Sequence, residues 1–197
     1  MKAIEILSRD PMMKELIEKY GELTLEKNNN YFGNLLSAII GQQLSSKAAD
    51  TIYKRMATLM GNNISPENVL KTPDENLRQA GISGNKIKYI KNLSQAVLDG
   101  SLDLDNIHEY DNEKVLQKLT TIKGIGLWTA EMFLIFSLAR EDIFSFSDGG
   151  LNGAINKLYG GGSILSKEEI INITDKWKPY RSLASLYLWE SIDNKNS

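Results

Sequence analysis

Residues 119–148 read LTTIKGIGLWTAEMFLIFSLAREDIFSFSD, and this stretch decides the fold. Gly124 and Gly126 flank Ile125 at a break between two helical patterns. Glycine reaches positive φ at little cost and lets another backbone come close, so a tight hairpin between helices is expected there. The segment that follows, TAEMFLIFSLA, is an apolar helix. Its first N–H groups have no acceptor within the helix, which makes its N-terminus an anion site by geometry. The stretch closes on Asp148, with Ser147 before it, where a cap is expected for a helix beginning near Leu151. A carboxylate held at a helix N-terminus is fixed and kept ionised, and stabilising a cationic transition state requires both.

Outward from this stretch nearly every segment shows a 3.6-residue period and none alternates as a strand, so the expected fold class is all-α. Asp10-Pro11 opens a helix that Gly21 ends. Phe32, Leu35, Leu36, Ile39 and Ile40 form one apolar stripe, and Ala48, Ala49, Ile52, Met56 and Leu59 the next. Ser65-Pro66 starts a short helix, and Ile87, Ile90, Leu93 and Val97 stripe a longer one up to Gly100. Asp111 caps VLQKL, Ser166 with Glu169 forms a capping box, and a last helix runs from about 179 to 192, with a frayed end over 193–197.

Composition narrows the chemistry. At 197 residues and 42% hydrophobic, the chain can bury a sizeable core as one unit of two tightly joined lobes. It has no apolar run of about 18 residues, so no membrane span is expected. The absence of cysteine excludes disulfides, thiolate metal sites, a cysteine-ligated iron–sulfur cluster and cysteine nucleophiles, and fits a cytoplasmic setting. A single histidine, His108, excludes two-histidine metal sites; its polar surroundings mark a loop or helix end. The net charge of −2 weighs against a nucleic-acid partner. A hairpin backbone, however, can meet phosphate with N–H donors and a helix dipole alone, without side-chain charge. Lys86, Lys88 and Lys91 form a local basic run, either a binding face or a solvated helix face, and Lys114, Lys118 and Lys123 approach the hairpin.

Two further groups are ambiguous on sequence alone. Gln42, Gln43 and Leu44 lie at a helix–helix junction. Their glutamines either bridge the helices by hydrogen bonds or project to fill a gap in a base stack. Trp177, Tyr180, Tyr187, Trp189 and Trp128 are either core or surfaces for stacking on a base.

Taken together, IIGQQLSSKAA, GISGNKIKYIKNL, LTTIKGIGLWTAEMF, SDGGL and WKPYRSLASLYLW resemble the helix-hairpin-helix DNA glycosylases. The nearest branch is the 3-methyladenine (alkylpurine) DNA glycosylases, and the likeness runs from about Tyr31 to Trp189. It implies a two-lobed all-α fold with the active-site cleft between lobes. The central lobe would span about 32–135, with the hairpin at 119–131, and the N- and C-terminal helices would form the other. It implies a monomer acting on double-stranded DNA that contains damaged bases, with each base flipped into a pocket. The setting would be cytoplasmic, with the nucleoid in a bacterium or the nucleus in a eukaryote.

By matching positions, the resemblance assigns Asp148 as the catalytic aspartate and Trp128, Trp189, Met132 and Gly149 as the base pocket. Gln43, or secondarily Leu44, would be the wedge left in the base stack. Lys123, Gly124, Ile125 and Gly126 would contact phosphate. The carbonyls of Thr120, Ile122 and Ile125 would hold a Na⁺ or K⁺ ion, with no iron–sulfur cluster and no required cofactor. Trp128 stands where bifunctional relatives place a Schiff-base lysine, which implies hydrolysis without lyase chemistry. Met132 and Gly149 replace aromatic walls of some relatives and imply a roomier pocket. A glycosylase for deaminated or oxidised bases, and a non-catalytic damage binder, are the alternatives.

Overall fold

The computed structural model describes residues 2–193, and every regular element among them is helical. The frayed end expected at 193–197 lies, apart from the backbone of Asp193, outside the described residues. Helices α1 (Lys2–Leu7) and α2 (Pro11–Tyr20) open the chain. Seven follow: α3 (Tyr31–Gly41), α4 (Ser46–Leu59), α5 (Pro66–Lys71), α6 (Asp74–Gln79), α7 (Gly84–Leu98), α8 (Asn112–Thr120) and α9 (Leu127–Phe136). Then come α10 (Gly149–Tyr159), α11 (Lys167–Thr174) and α12 (Arg181–Asp193). The caps read from the sequence are in place. Asp10, Ser65 and Asp111 each accept backbone N–H groups of the helix they precede, and Ser166 and Glu169 close the capping box.

Three details differ from the sequence expectation. Helix α6 lacks an apolar stripe and buries little besides Leu77, so periodicity does not reveal it. His108 lies in a single 3₁₀ turn, Ile107–Glu109. The last helix begins at Arg181, because the Tyr180 N–H still closes onto the Trp177 carbonyl at 2.7 Å.

The chain divides into two compact units, residues 28–138 and residues 1–27 with 139–197. In the first, α3 packs against α4, α7 and α9, and α8 against α9. Leu35, Leu36, Ile39, Ile87, Ile90, Leu119 and Leu134 are buried there. A fully buried aliphatic side chain contributes about 2 kcal/mol; the stripes of α3 and α7 supply this core, whereas in the stripe read for α4 only Met56 is buried and Leu59 is exposed. In the second, α12 packs against α2 and α10 around Leu7, Met13, Leu151, Ile155, Trp177, Tyr187 and Leu188. Trp177 and Tyr187 are wholly inside this core and offer no stacking surface.

Asp10 ties the second unit together. Besides capping α2, its buried carboxylate accepts the Tyr159 hydroxyl at 2.9 Å and the Trp177 indole N–H at 3.2 Å. Burial, reinforced by the Asp10 charge, pushes the Tyr159 phenol far above its ordinary range. The phenol therefore stays protonated in the fold, whereas the unfolded chain ionises it near pH 10. Its contribution is complete below that pH and is lost as pH rises further. Asp10→Ala removes a cap and strands two buried donors, and should cost about 2–4 kcal/mol in urea denaturation. Tyr159→Phe should flatten the loss of stability of the wild type above about pH 10.

Candidate functional site

Asp148 is built into unit 1–27/139–197 from both sides. The segment before it is bound to the start of α12. The Arg181 guanidinium grips Asp142 through two hydrogen bonds, at 2.7 and 3.1 Å. Ser182 donates its hydroxyl to the Arg140 carbonyl at 2.6 Å and accepts the Ile143 N–H at 2.9 Å. Phe144 then enters the core and the chain turns at Ser145, whose carbonyl accepts the Asp148 N–H. Asp148 caps α10, with Oδ1 accepting the Leu151 N–H at 2.7 Å. The Trp189 indole N–H, on α12, reaches the same oxygen at 3.4 Å. The carboxylate is only 7% exposed.

Gly150 makes room for this arrangement. A Cβ there would lie 3.1 Å from Asp148 Oδ1 and 3.1 Å from Ile192 Cδ1. Gly149, by contrast, faces open space. The second glycine of Asp-Gly-Gly is thus a functional position that the sequence reading passed over, and the doubled glycine is its signal. The site is a carboxylate at the positive end of a helix dipole with a tryptophan beside it, an arrangement that can stabilise a developing positive charge.

Unit 28–138 holds the hairpin. Gly124 adopts φ +107°, and an added Cβ would overlap Tyr89 of α7. Ile125 is buried and anchors the turn, and its N–H already donates to the Ile122 carbonyl at 3.0 Å, so of the expected phosphate contacts it has no N–H left to offer. Gly126 is different. Its φ of −87° suits any residue, and a Cβ there would meet nothing. Gly126 is also the N-cap of α9 and supplies no side-chain acceptor, leaving the helix start uncapped. Leu127 and Trp128 are about half exposed beside it, and Lys123 is exposed.

Gln43, Leu44, Trp128, Met132, Phe133 and Phe136 line one cavity of about 570 Å³ in this unit. The two glutamines divide the roles that sequence left open. Gln42 bridges, donating Nε2–H to the Gly124 carbonyl at 2.9 Å, while Gln43 is exposed at φ +59°. Asn34 also lines the cavity, a position the sequence reading missed. Its amide donates to the Asn28 carbonyl at 3.3 Å and to the Ser137 hydroxyl oxygen at 3.0 Å. The carbonyl can only accept, so the amide orientation is determined and Oδ1 remains as an acceptor.

The basic run divides too. Lys91 pairs with Asp74, Lys86 turns inward, and only Lys88 of the three is fully exposed, so neither a joint binding face nor a joint solvated face describes it. Lys114 lies beside Gln117, and Lys118 sits 4.9 Å from the centre of the Tyr110 ring. Among the described residues no three His, Asp or Glu side chains are placed to hold a metal ion. The hairpin offers neutral carbonyls instead. Of the three assigned to an ion, Ile122's already accepts one N–H and keeps its second lone pair.

Residues 36–179 match the model of the family described as HhH-GPD superfamily base excision DNA repair protein. DNA-3-methyladenine glycosylase 1 of Schizosaccharomyces pombe is 31% identical over 195 residues, spanning 95% of this chain and 85% of that protein. The crystal structure of a DNA-3-methyladenine glycosidase from Bacillus halodurans is 43% identical with a TM-score of 0.84, covering 94% of this chain and 86% of that one. A structure of the S. pombe 3-methyladenine DNA glycosylase in complex with abasic DNA is 30% identical with a TM-score of 0.89, covering 100% of this chain and 99% of that one.

The two hairpin glycines should separate on substitution. Gly124→Ala meets both a left-handed backbone and the Tyr89 ring and should lose about 2–4 kcal/mol in chemical denaturation. Gly126→Ala should stay within about 0.5 kcal/mol of wild type.

Proposed function

The chain belongs to the HhH-GPD superfamily of base excision DNA repair proteins, and within it we propose a monofunctional DNA glycosylase for alkylated purines. It flips bases such as 3-methyladenine and 7-methylguanine from duplex DNA and hydrolyses the bond joining base to sugar. The observation that carries this reading is the Asp148 carboxylate, capped onto α10 and contacted by the Trp189 indole.

The chemistry follows from charge. Cleavage of an N-glycosidic bond develops positive charge on the sugar, and a fixed carboxylate stabilises that cation and directs the attacking water. A purine alkylated at N3 or N7 is already cationic, so it leaves without a strong general acid. Its cation is attracted to electron-rich rings, which suits the assignment of Trp128 and Trp189 to the base. Met132 and Gly149 leave space around such a base. Trp128 carries no amine, so this position supplies no Schiff-base nucleophile, which supports hydrolysis that leaves the DNA strand unbroken at the abasic site.

Binding needs no net positive charge. The uncapped start of α9 and the open space at Gly126 admit a phosphate against backbone N–H groups, with Lys123 beside them. A Na⁺ or K⁺ ion on the carbonyls of Thr120, Ile122 and Ile125 would add a positive charge at the same hairpin. Gln43 or Leu44 fills the space left by the flipped base. The protein acts as a monomer, at the DNA of its cell. Among the described residues no helix is long and apolar enough to cross a membrane.

Mass spectrometry of bases released from methylated duplex should show 3-methyladenine or 7-methylguanine, with little release from duplexes carrying uracil, hypoxanthine or 8-oxoguanine. Borohydride should trap no covalent enzyme–DNA adduct. Preferential release of an oxidised or deaminated base, or a trapped adduct, would overturn the assignment. Gly126→Ala should fold normally yet bind duplex about tenfold more weakly, about 1.4 kcal/mol, because its methyl group intrudes on the phosphate.

A further inference from the structure

One helix holds two turns of unit 28–138 that are far apart in the chain. Lys86, in the first turn of α7, donates its ammonium to the Ile40 carbonyl at 2.8 Å and the Gln42 carbonyl at 2.6 Å. These carbonyls lie at the C-terminal end of α3, the negative end of its dipole, where a cation is favoured. Three residues on, Tyr89 fills the space beside Gly124 that only a glycine leaves open. The Gln42 side chain closes the triangle by donating to the Gly124 carbonyl. The turn between α3 and α4 is thereby braced from α7 and latched to the hairpin.

What the brace holds is strained. Gln43 sits at φ +59°, a conformation that costs a non-glycine residue about 1 kcal/mol or more and persists only where the surroundings impose it. The Leu44 N–H returns to the Gly41 carbonyl at 3.0 Å, so the turn closes directly over the carbonyl pair that Lys86 grips. Burial pushes the Lys86 ammonium below the usual lysine range, so its inward placement is itself unfavourable and must be offset by these contacts.

We infer that Lys86 is a positioning residue: it locks the turn bearing Gln43 and Leu44 to the hairpin, so that insertion into the base stack and the grip on phosphate act as one rigid device. The inference rests on the reading of Gln43 or Leu44 as the wedge. Lys86 reaches DNA only through that turn and touches neither base nor sugar.

The test compares wild type, Lys86→Met, Gln42→Ala, a wedge-deleted variant (Gln43→Ala with Leu44→Ala) and the wedge-deleted variant carrying Lys86→Met. Excision is followed in single turnover on a duplex with one 7-methylguanine. Insertion is followed by 2-aminopurine fluorescence opposite a tetrahydrofuran abasic analogue. Lys86→Met should excise about tenfold more slowly with a weakened fluorescence change, as misplacement of a positioned group does. Its affinity for undamaged duplex should stay within about twofold, since backbone contacts dominate there. Added to the wedge-deleted variant, Lys86→Met should cost nothing further. If Lys86→Met fails to fold, Gln42→Ala cuts the same latch and should show the same pattern. Wild-type excision by a folded Lys86→Met or Gln42→Ala, beside a slowed wedge-deleted variant, overturns the inference alone. So does a Lys86 loss that multiplies the wedge loss. Wild-type excision by the wedge-deleted variant overturns the wedge reading and the inference with it.

Discussion

The contact between the Asp148 carboxylate and the Leu151 N–H is the constraint on which the proposed chemistry depends. A helix cap is ordinarily a matter of local stability, contributing about 1 kcal/mol. Here it also immobilises a negative charge. The cap sets the position of Oδ1 at the positive end of the α10 dipole, and the Trp189 indole approaches the same oxygen from α12. Gly150 supplies the room, and the Arg181–Asp142 and Ser182 contacts hold the incoming segment against α12. A carboxylate arranged in this way needs no reorganisation when a cation develops beside it, and that preorganisation is the physical basis of the catalysis proposed.

The 28–138 unit works by shape where the other works by charge. Its hairpin presents backbone, an open glycine and an uncapped helix start, features that suit the proposed phosphate contact in an acidic protein. The glycines divide the work. Gly124 is demanded by Tyr89 and by its own φ, so it belongs to folding; nothing inside the chain demands Gly126. An unconstrained glycine at an exposed helix start leaves room for the close approach of the proposed phosphate.

Much of this was legible in the sequence because helix caps are local. Asp10-Pro11, Ser65-Pro66, Asp111, Ser166 with Glu169, and Asp148 all act within three residues of themselves, and each cap stands where the sequence places it. What escaped depends on distant partners. Lys86 sits in a run of lysines, and only the folded chain shows that its acceptors are carbonyls more than forty residues away. Gln42 and Gln43 are adjacent and chemically identical, and a positive φ at the second sends them to different tasks. Trp177 and Trp189 share one aromatic stretch. The first is wholly in the core around Asp10, and the second is half-buried beside Asp148, a distinction set by helix packing and not by spacing. Helix α6 was invisible because so short a helix, burying essentially one leucine, leaves no periodic trace.

In the proposed mechanism one carboxylate is both a cap and the group that stabilises the sugar cation. Asp148→Asn separates the two roles, because asparagine caps as well as aspartate but carries no charge. The measurement is single-turnover base release from methylated duplex, made beside thermal unfolding of the same sample. The variant should melt close to wild type and release bases about 10²–10³-fold more slowly. Release at the wild-type rate by the folded variant would contradict that mechanism.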